Sequence, residues 1–247
     1  MSLSKIVNMK NLMLVLLCAG AFLFQSHQTK IFETSEVVEE TWDLDKFHKL
    51  GVAGSFKVNL KQGSKQKVVV RGEKEFLDKM NKEVRNGEWN IKIKQNKWYK
   101  GKWKRQPIEV DVVMERVSGI GIAGSGKVKI HNTIVEDELK LSISGSGYIY
   151  GKIKTSELKS SISGSGGIDV SGSSNHSKIS ISGSGSFDGS DLAAKNAKIS
   201  IAGSGDVNIH VDQSIKVSIA GSGNVKYSGN PENVNVSSAG SGKVRKI

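Results

Sequence analysis

Three aspartates in the second half of the chain, Asp169, Asp188 and Asp206, stand at recurring places in a repeated pattern. A pair of carboxylates about 5 Å apart can hold a divalent cation, or serve as the acid and nucleophile of a retaining glycoside cleavage. Asp169 and Asp188 are 19 residues apart, one repeat period, so stacked repeats would set them about 4.8 Å apart, with Asp206 one column over. The same place in the other repeats holds Lys129, Tyr150, Asn208, Lys226 and Arg245. The cations that proton handling would need therefore stand repeats away, and no aromatic platform is expected beside the pair. The simpler reading of the column is a solvated sheet face.

A second constellation is basic and aromatic. Trp98, Tyr99, Lys100, Lys102, Trp103, Lys104 and Arg105 crowd into one stretch around Gly101. Cations interleaved with flat rings on an exposed loop can grip anionic glycans, lipopolysaccharide or a membrane surface. The competing reading is a hairpin whose tryptophans cover the end of a core. The wider segment 57–116 carries 17 Lys and Arg against 8 Asp and Glu, so most of the formal net charge of +12 resides there.

Other residue types offer less. The five histidines, His27, His48, His131, His176 and His210, have no metal-ligand spacing. The recurrent Gly-Ser-Gly is not a phosphate loop, because no Lys-Ser/Thr follows and no helix begins there. No serine of the repeated ladder described next has a base beside it in the pattern. No cofactor and no metal site is expected.

What positions these residues is a repeat. Gly-Ser-Gly starts at Gly124, Gly145, Gly164, Gly183, Gly203, Gly221 and Gly240, spaced by 21, 19, 19, 20, 18 and 19 residues. A period this steady means stacked units. Around each tripeptide apolar and polar residues alternate, as in Leu141-Ser142-Ile143-Ser144 and Asp206-Val207-Asn208-Ile209, which is a strand period. About 19 residues make one coil of a parallel β-helix. One interior column then reads Ile122, Ile143, Ile162, Ile181, Ile201, Ile219 and another Val128, Ile149, Ile168, Phe187, Val207, Val225, Val244. Facing out, Ser142, Ser161, Ser180, Ser200, Ser218 and Ser237 form a ladder able to share hydrogen bonds along the axis.

Upstream, Leu50 to Leu60 aligns without gaps to Ile120 to Ile130, so a first coil lies near residue 50 and the spiral is interrupted between them. The interruption predicts a strand at Lys67–Val70, a short helix within Glu73–Val84, a tight turn at Asn86-Gly87 and strands at Trp89–Ile93 and Ile108–Met114. At the start, Leu12 to Phe24 is an apolar run of 13 residues behind Lys5 and Lys10, too short to span a bilayer but suited to a secretory leader. Ala19-Gly20-Ala21 is a small-x-small cleavage site. Cys18 invites a lipid anchor, but Leu16-Leu17 before it disfavours one, and cleavage after Ala21 leaves a mature chain without cysteine.

The stretch Phe47 to Leu60 (F-x-x-L-G-V-x-G-S-F-x-V-x-L), the strand-helix-strand segment and the serial I-S-G-S-G-x-V repeats together resemble the bacterial putative auto-transporter adhesin head domain, or GIN domain, family, common in Bacteroidetes. The resemblance covers about residues 42–247. It implies an exported protein with an all-β, single-stranded right-handed parallel β-helix similar to pectate-lyase-like folds, and it offers no catalytic motif to transfer. The organisation read from the chain is a signal peptide at 1–21, a linker or edge segment at 22–41 and a β-helix domain at 42–247. Within that domain the degenerate coils or insertion span 61–116 and the Gly-Ser-Gly repeats span 117–247.

The function expected is that of a non-enzymatic module of the periplasm or cell surface, adhesin-like, binding a surface glycan or protein, anionic ligands among them, and no nucleic acid. The alternative is a polysaccharide lyase or hydrolase on the same scaffold. At the last coil, Ser238 replaces the isoleucine of its column and only Lys243, Arg245 and Lys246 guard the strand edge, which leaves two outcomes open: a monomer guarded by this basic edge, or a homodimer joined end to end or through the basic aromatic insertion.

Overall fold

The computed structural model describes residues 36–94 and 108–247. The leader (1–21, with Cys18) and the basic aromatic stretch from Trp98 to Arg105 lie outside the described residues. Within them the chain is a parallel β-solenoid, with one short helix.

The regular body comprises β8 (Gly119–Gly124), β9 (Lys127–Ile130), β10 (Ile134–Gly145), β11 (Tyr148–Gly164), β12 (Gly167–Gly183), β13 (Ser186–Gly203), β14 (Asp206–Gly221), β15 (Asn224–Ser228), β16 (Asn233–Ala239) and β17 (Lys243–Lys246). Each coil pairs in parallel with the next, Ile143 with Ile162, Ile162 with Ile181, Ile181 with Ile201, Ile201 with Ile219. Both interior columns read from the alternation are buried as far as Ile219 and Val225. The ladder serines stand in register on the outside, Ser161, Ser218 and Ser237 exposed and Ser142, Ser180 and Ser200 partly so. No side-chain hydrogen bond joins them, so the expected sharing along the axis does not occur among the described residues; the backbone ladder alone holds them in line.

The Gly-Ser-Gly corner has a different reason for each glycine. Gly145 adopts φ +122°, and a side chain there would meet the Gly124 carbonyl oxygen of the preceding coil at 2.6 Å. Gly147 would place a Cβ 2.6 Å from Cγ2 of Ile122. The first glycine permits the bend and the second lets successive coils approach. At Phe56 the first coil departs from the tripeptide, and Phe56 is buried.

The interruption in sequence is no interruption in space. β2 (Lys49–Ala53) and β3 (Lys57–Gln62) pair in parallel with β8 and β9, Leu50 on Ile120 and Leu60 on Ile130, in the register of the ungapped alignment. The intervening chain is carried to the far side of this coil. There β6 (Glu88–Ile91) extends one face by pairing with β2, and β7 (Glu109–Met114) extends the other by pairing with β3. Two reversals finish the second face: β4 (Lys67–Glu73) lies antiparallel to β7, and β1 (Val37–Trp42) antiparallel to β4. The column of Val128 thus runs on through Val58, Val110 and Val70.

Trp89, fully buried, packs against Trp42 (6.3 Å between ring centroids) and Phe47 (5.5 Å), and donates from Nε1 to the Asn81 carbonyl at 3.0 Å. The helix expected within Glu73–Val84 is shorter, α1 (Lys74–Leu77), because Met80 leaves it to bridge Ile93. The turn at Asn86-Gly87 forms between β5 (Val84–Arg85) and β6, with φ +51° and +68°.

Candidate ligand-binding face

Alternation along β9, β11, β12, β13, β14, β15 and β17 sends every second side chain outward, and parallel register lines these into columns. One outward column runs Lys127, Tyr148, Gly167, Ser186, Asp206, Asn224, Lys243, and the next runs Lys129, Tyr150, Asp169, Asp188, Asn208, Lys226, Arg245. Asp169 and Asp188 face each other across adjacent coils, while Asp206 pairs with Ser186 and sits one coil on and two residues back.

The aspartate environments differ. Between Asp188 and Leu192 the strand β13 carries one residue more than β12, a bulge. Ser190 donates from its backbone N–H and its hydroxyl to Asp188 Oδ1, at 3.0 and 2.8 Å. Asp169 receives no such donor among the described residues. Its carboxyl is pushed above the ordinary carboxylate range by partial burial, then by the charges of Asp188 and Asp191. Asp206 accepts from Asn224 Nδ2 at 3.0 Å and lines a polar groove of about 420 Å³ with Lys226, Lys243 and Arg245. It belongs to a cationic end of the face, apart from the other two. Among the described residues no three His, Cys, Asp or Glu converge as a metal-binding group.

Two exposed tyrosines precede the pair by one coil. Tyr148 and Tyr150 are 46% and 36% exposed, two residues apart on the same outward face. The Tyr148 ring leans along the sheet over Gly167 instead of standing up from it: a methyl group at residue 167 would fall 2.8 Å from Cε1 and 2.9 Å from Cδ1. Gly167, an outward position, is buried beneath that ring. On the other side Lys127 Nζ lies 6.0 Å from the ring centroid. The sequence signal for this arrangement was the glycine that follows Gly164-Ser165-Gly166, where other coils carry a polar or aromatic residue.

Two serine–histidine pairs outside the ladder also escaped the sequence pattern. His48 Nδ1 lies 2.7 Å from Ser118 Oγ, joining residues 70 apart. His210 Nδ1 lies 2.9 Å from Ser228 Oγ, and its Nε2 lies 3.0 Å from Asp212 Oδ1. The second set has the residue types of a hydrolytic triad. Its histidine and aspartate side chains are 36% and 52% exposed, so it lacks the water-excluded setting in which such groups stabilise a developing oxyanion. It ties neighbouring strands at the surface. A further groove, of about 460 Å³, runs past Arg116, Glu136, Lys154, Thr155 and Asn175.

Comparison with known proteins bears on this scaffold. A solved structure from Bacteroides fragilis, called a putative adhesin, has a TM-score of 0.76 at 20% identity, covering 87% of this chain and 98% of that one. One from Parabacteroides distasonis, called a putative lipid binding protein, gives 0.71 at 22%, covering 87% and 98%. A putative adhesin from Parabacteroides merdae gives 0.70 at 17%, covering 87% and 97%. At such identities the likeness is one of fold. No curated protein matches the chain. The family model described as "Putative auto-transporter adhesin, head GIN domain" matches residues 46–231, from the first coil to the end of β15 and just beyond. By that match over most of its length, the chain is a member of the GIN head-domain family.

Proposed function

We propose that this chain is an exported, non-enzymatic binding module of the bacterial surface or periplasm, whose rigid solenoid presents an adhesive face to a glycan or protein. The observation that carries this reading is an outward face of tyrosines and charges held in register on a packed stack, in a chain of an adhesin-named family. Side chains set on strands of a stack are preorganised, so binding them costs little ordering. The described residues contain no helix long and apolar enough to cross a membrane, and the Leu12–Phe24 run supports export by a cleaved leader. The basic aromatic stretch from Trp98 to Arg105 adds capacity for anionic ligands.

The test is retention of purified, fluorescently labelled protein on intact bacterial and epithelial cells, with and without surface glycans oxidised by periodate. Saturable retention is expected. Absence of saturable retention on every surface, with hydrolysis of polysaccharide instead, would establish the enzymatic alternative.

A further inference from the structure

We propose that the outward face around Tyr148, Tyr150, Asp169 and Asp188 is a platform for an uncharged pyranose chain, a refinement that rests on the adhesive reading above. The first ground is the Tyr148 ring. A tyrosine projecting from a sheet would offer a ligand little more than its tip, but this ring leans over Gly167 and is still 46% exposed. The bare glycine beneath it is what allows that posture, and its φ does not require glycine, so the missing side chain is explained by the ring and not by the backbone. A ring held in this way is a stacking surface for the apolar face of a sugar.

The second ground is charge. Lys127 and Lys129 precede the tyrosines by one coil, and Asp169 and Asp188 follow Tyr150 by one and two coils. A polyanion laid along this line would meet the two carboxylates, and a polycation would meet the two ammonium groups. A neutral polyhydroxylated chain meets neither conflict, since its hydroxyls accept from lysine and donate to aspartate. Asp169 in particular faces solvent with no hydrogen-bond donor among the described residues, and its ionised form is opposed by partial burial and then by Asp188 and Asp191. Sugar hydroxyls would supply the donors it lacks. Because Tyr150, Asp169 and Asp188 lie in one column, the chain would run along the solenoid axis, crossing one coil about every 4.8 Å.

The experiment is calorimetric titration of the full chain with maltohexaose, cellohexaose, mannohexaose and, as an anionic comparison, a polygalacturonate oligomer. At least one neutral hexaose is expected to bind. Tyr148→Ala should weaken it about tenfold or more. Gly167→Ala, which removes no polar group and only lifts the ring, should weaken it too, and so should Asp169→Asn. Tyr148→Leu keeps apolar bulk without the ring and guards against a variant that fails to fold; it should behave as Tyr148→Ala does. Neutral binding unchanged in both Tyr148→Leu and Gly167→Ala would overturn the proposal. So would binding of polygalacturonate alone. If cells retain the protein while no neutral hexaose binds, the platform is wrong and the adhesive reading stands; if cells do not retain it either, both fall.

Discussion

The two ends of the solenoid solve the same problem in opposite ways. At the amino-terminal end the stack is closed by β6 and β7, then by two antiparallel strands, with Trp42, Phe47, Leu77, Met80 and Trp89 filling the space below the first coil. At the carboxy-terminal end β16 continues the register, yet Val234 and Val236 are 47% and 46% exposed, although their counterparts Ile215 and Val217 are buried. A repeat offers identical upper and lower surfaces, so it can propagate a core but cannot terminate one. Closure needs residues that break the repeat: reversals in chain direction and large rings.

The largest expected effect tests whether the aromatic closure bears the first coils. Trp89→Ala removes a fully buried ring and its hydrogen bond, and should cost about 3–5 kcal/mol in urea unfolding. Hydrogen exchange should rise first in β2, β3, β6 and β7 and only later beyond β11. Uniform loss across the chain would mean that the end and the body are a single cooperative unit.

Next comes position along one kind of strand. Ile181→Ala, in mid-stack, should cost about 2–5 kcal/mol, whereas Val236→Ala at the exposed coil should cost less than about 0.5 kcal/mol. Equal costs would show that the last coil is covered in solution.

A smaller effect of opposite sign is expected inside the body. Ser160 and Ser177 occupy interior positions where neighbouring coils carry Leu141, Ile179, Leu158 and Ala197, and their hydroxyls are buried without a hydrogen-bond partner. Ser177→Ala should leave stability unchanged or raise it by up to about 1 kcal/mol, read from the same unfolding midpoint. A clear loss would point to a bound water in the stack.

The smallest effects concern pH, and the two regions should diverge. In the closure, Glu40 accepts from Lys74 Nζ at 2.6 Å and Trp42 Nε1 at 2.7 Å, and its carboxyl is held down at about 2. Its stabilising contribution is present above the ordinary glutamate range and is lost as pH falls from there through about 2. Asp169 is raised, so its ionised form is a penalty at neutral pH that is relieved as pH falls through its elevated value. Relative to the intrinsic exchange rate at each pH, mild acid should therefore raise protection around Asp169 before stronger acid lowers it in β1, and Asp169→Asn should abolish only the first change. The reverse order would contradict the assignment of these two groups.

Much of the body was legible because its determinants are local in sequence. Glycines at fixed places and two-residue alternation name the inward residues, and the match of Leu50–Leu60 to Ile120–Ile130 even gave the register of coils far apart in the chain. The closure was legible only as separate elements. Nothing local in Trp42, Phe47 and Trp89 says that they meet, nor that β1 pairs antiparallel with β4. The candidate face was only partly legible, for a related reason. Tyr150 was visible as a column member, but the lean of Tyr148 follows from a missing side chain one coil away. The Ser228–His210 contact joins directly paired residues of adjacent coils, at the end of β15 where the repeated motif gives no sign of it.

The direct seating of β2 on β8 has a kinetic consequence. Contacts between coils of the body join residues 17 to 21 apart, as in Ala193 with His210 and Ile120 with Leu141, whereas Gly51 meets Gly121 across 70 residues. Closing the longer loop costs about 1 kcal/mol more in chain entropy, on the (3/2)RT ln n scaling. The coils from β8 onward can thus zip locally, each on the last, while the amino-terminal coil waits for a landing surface that is made after it. The part of the chain that emerges first would be the part that docks last, leaving its tryptophans in water until the stack beneath them exists.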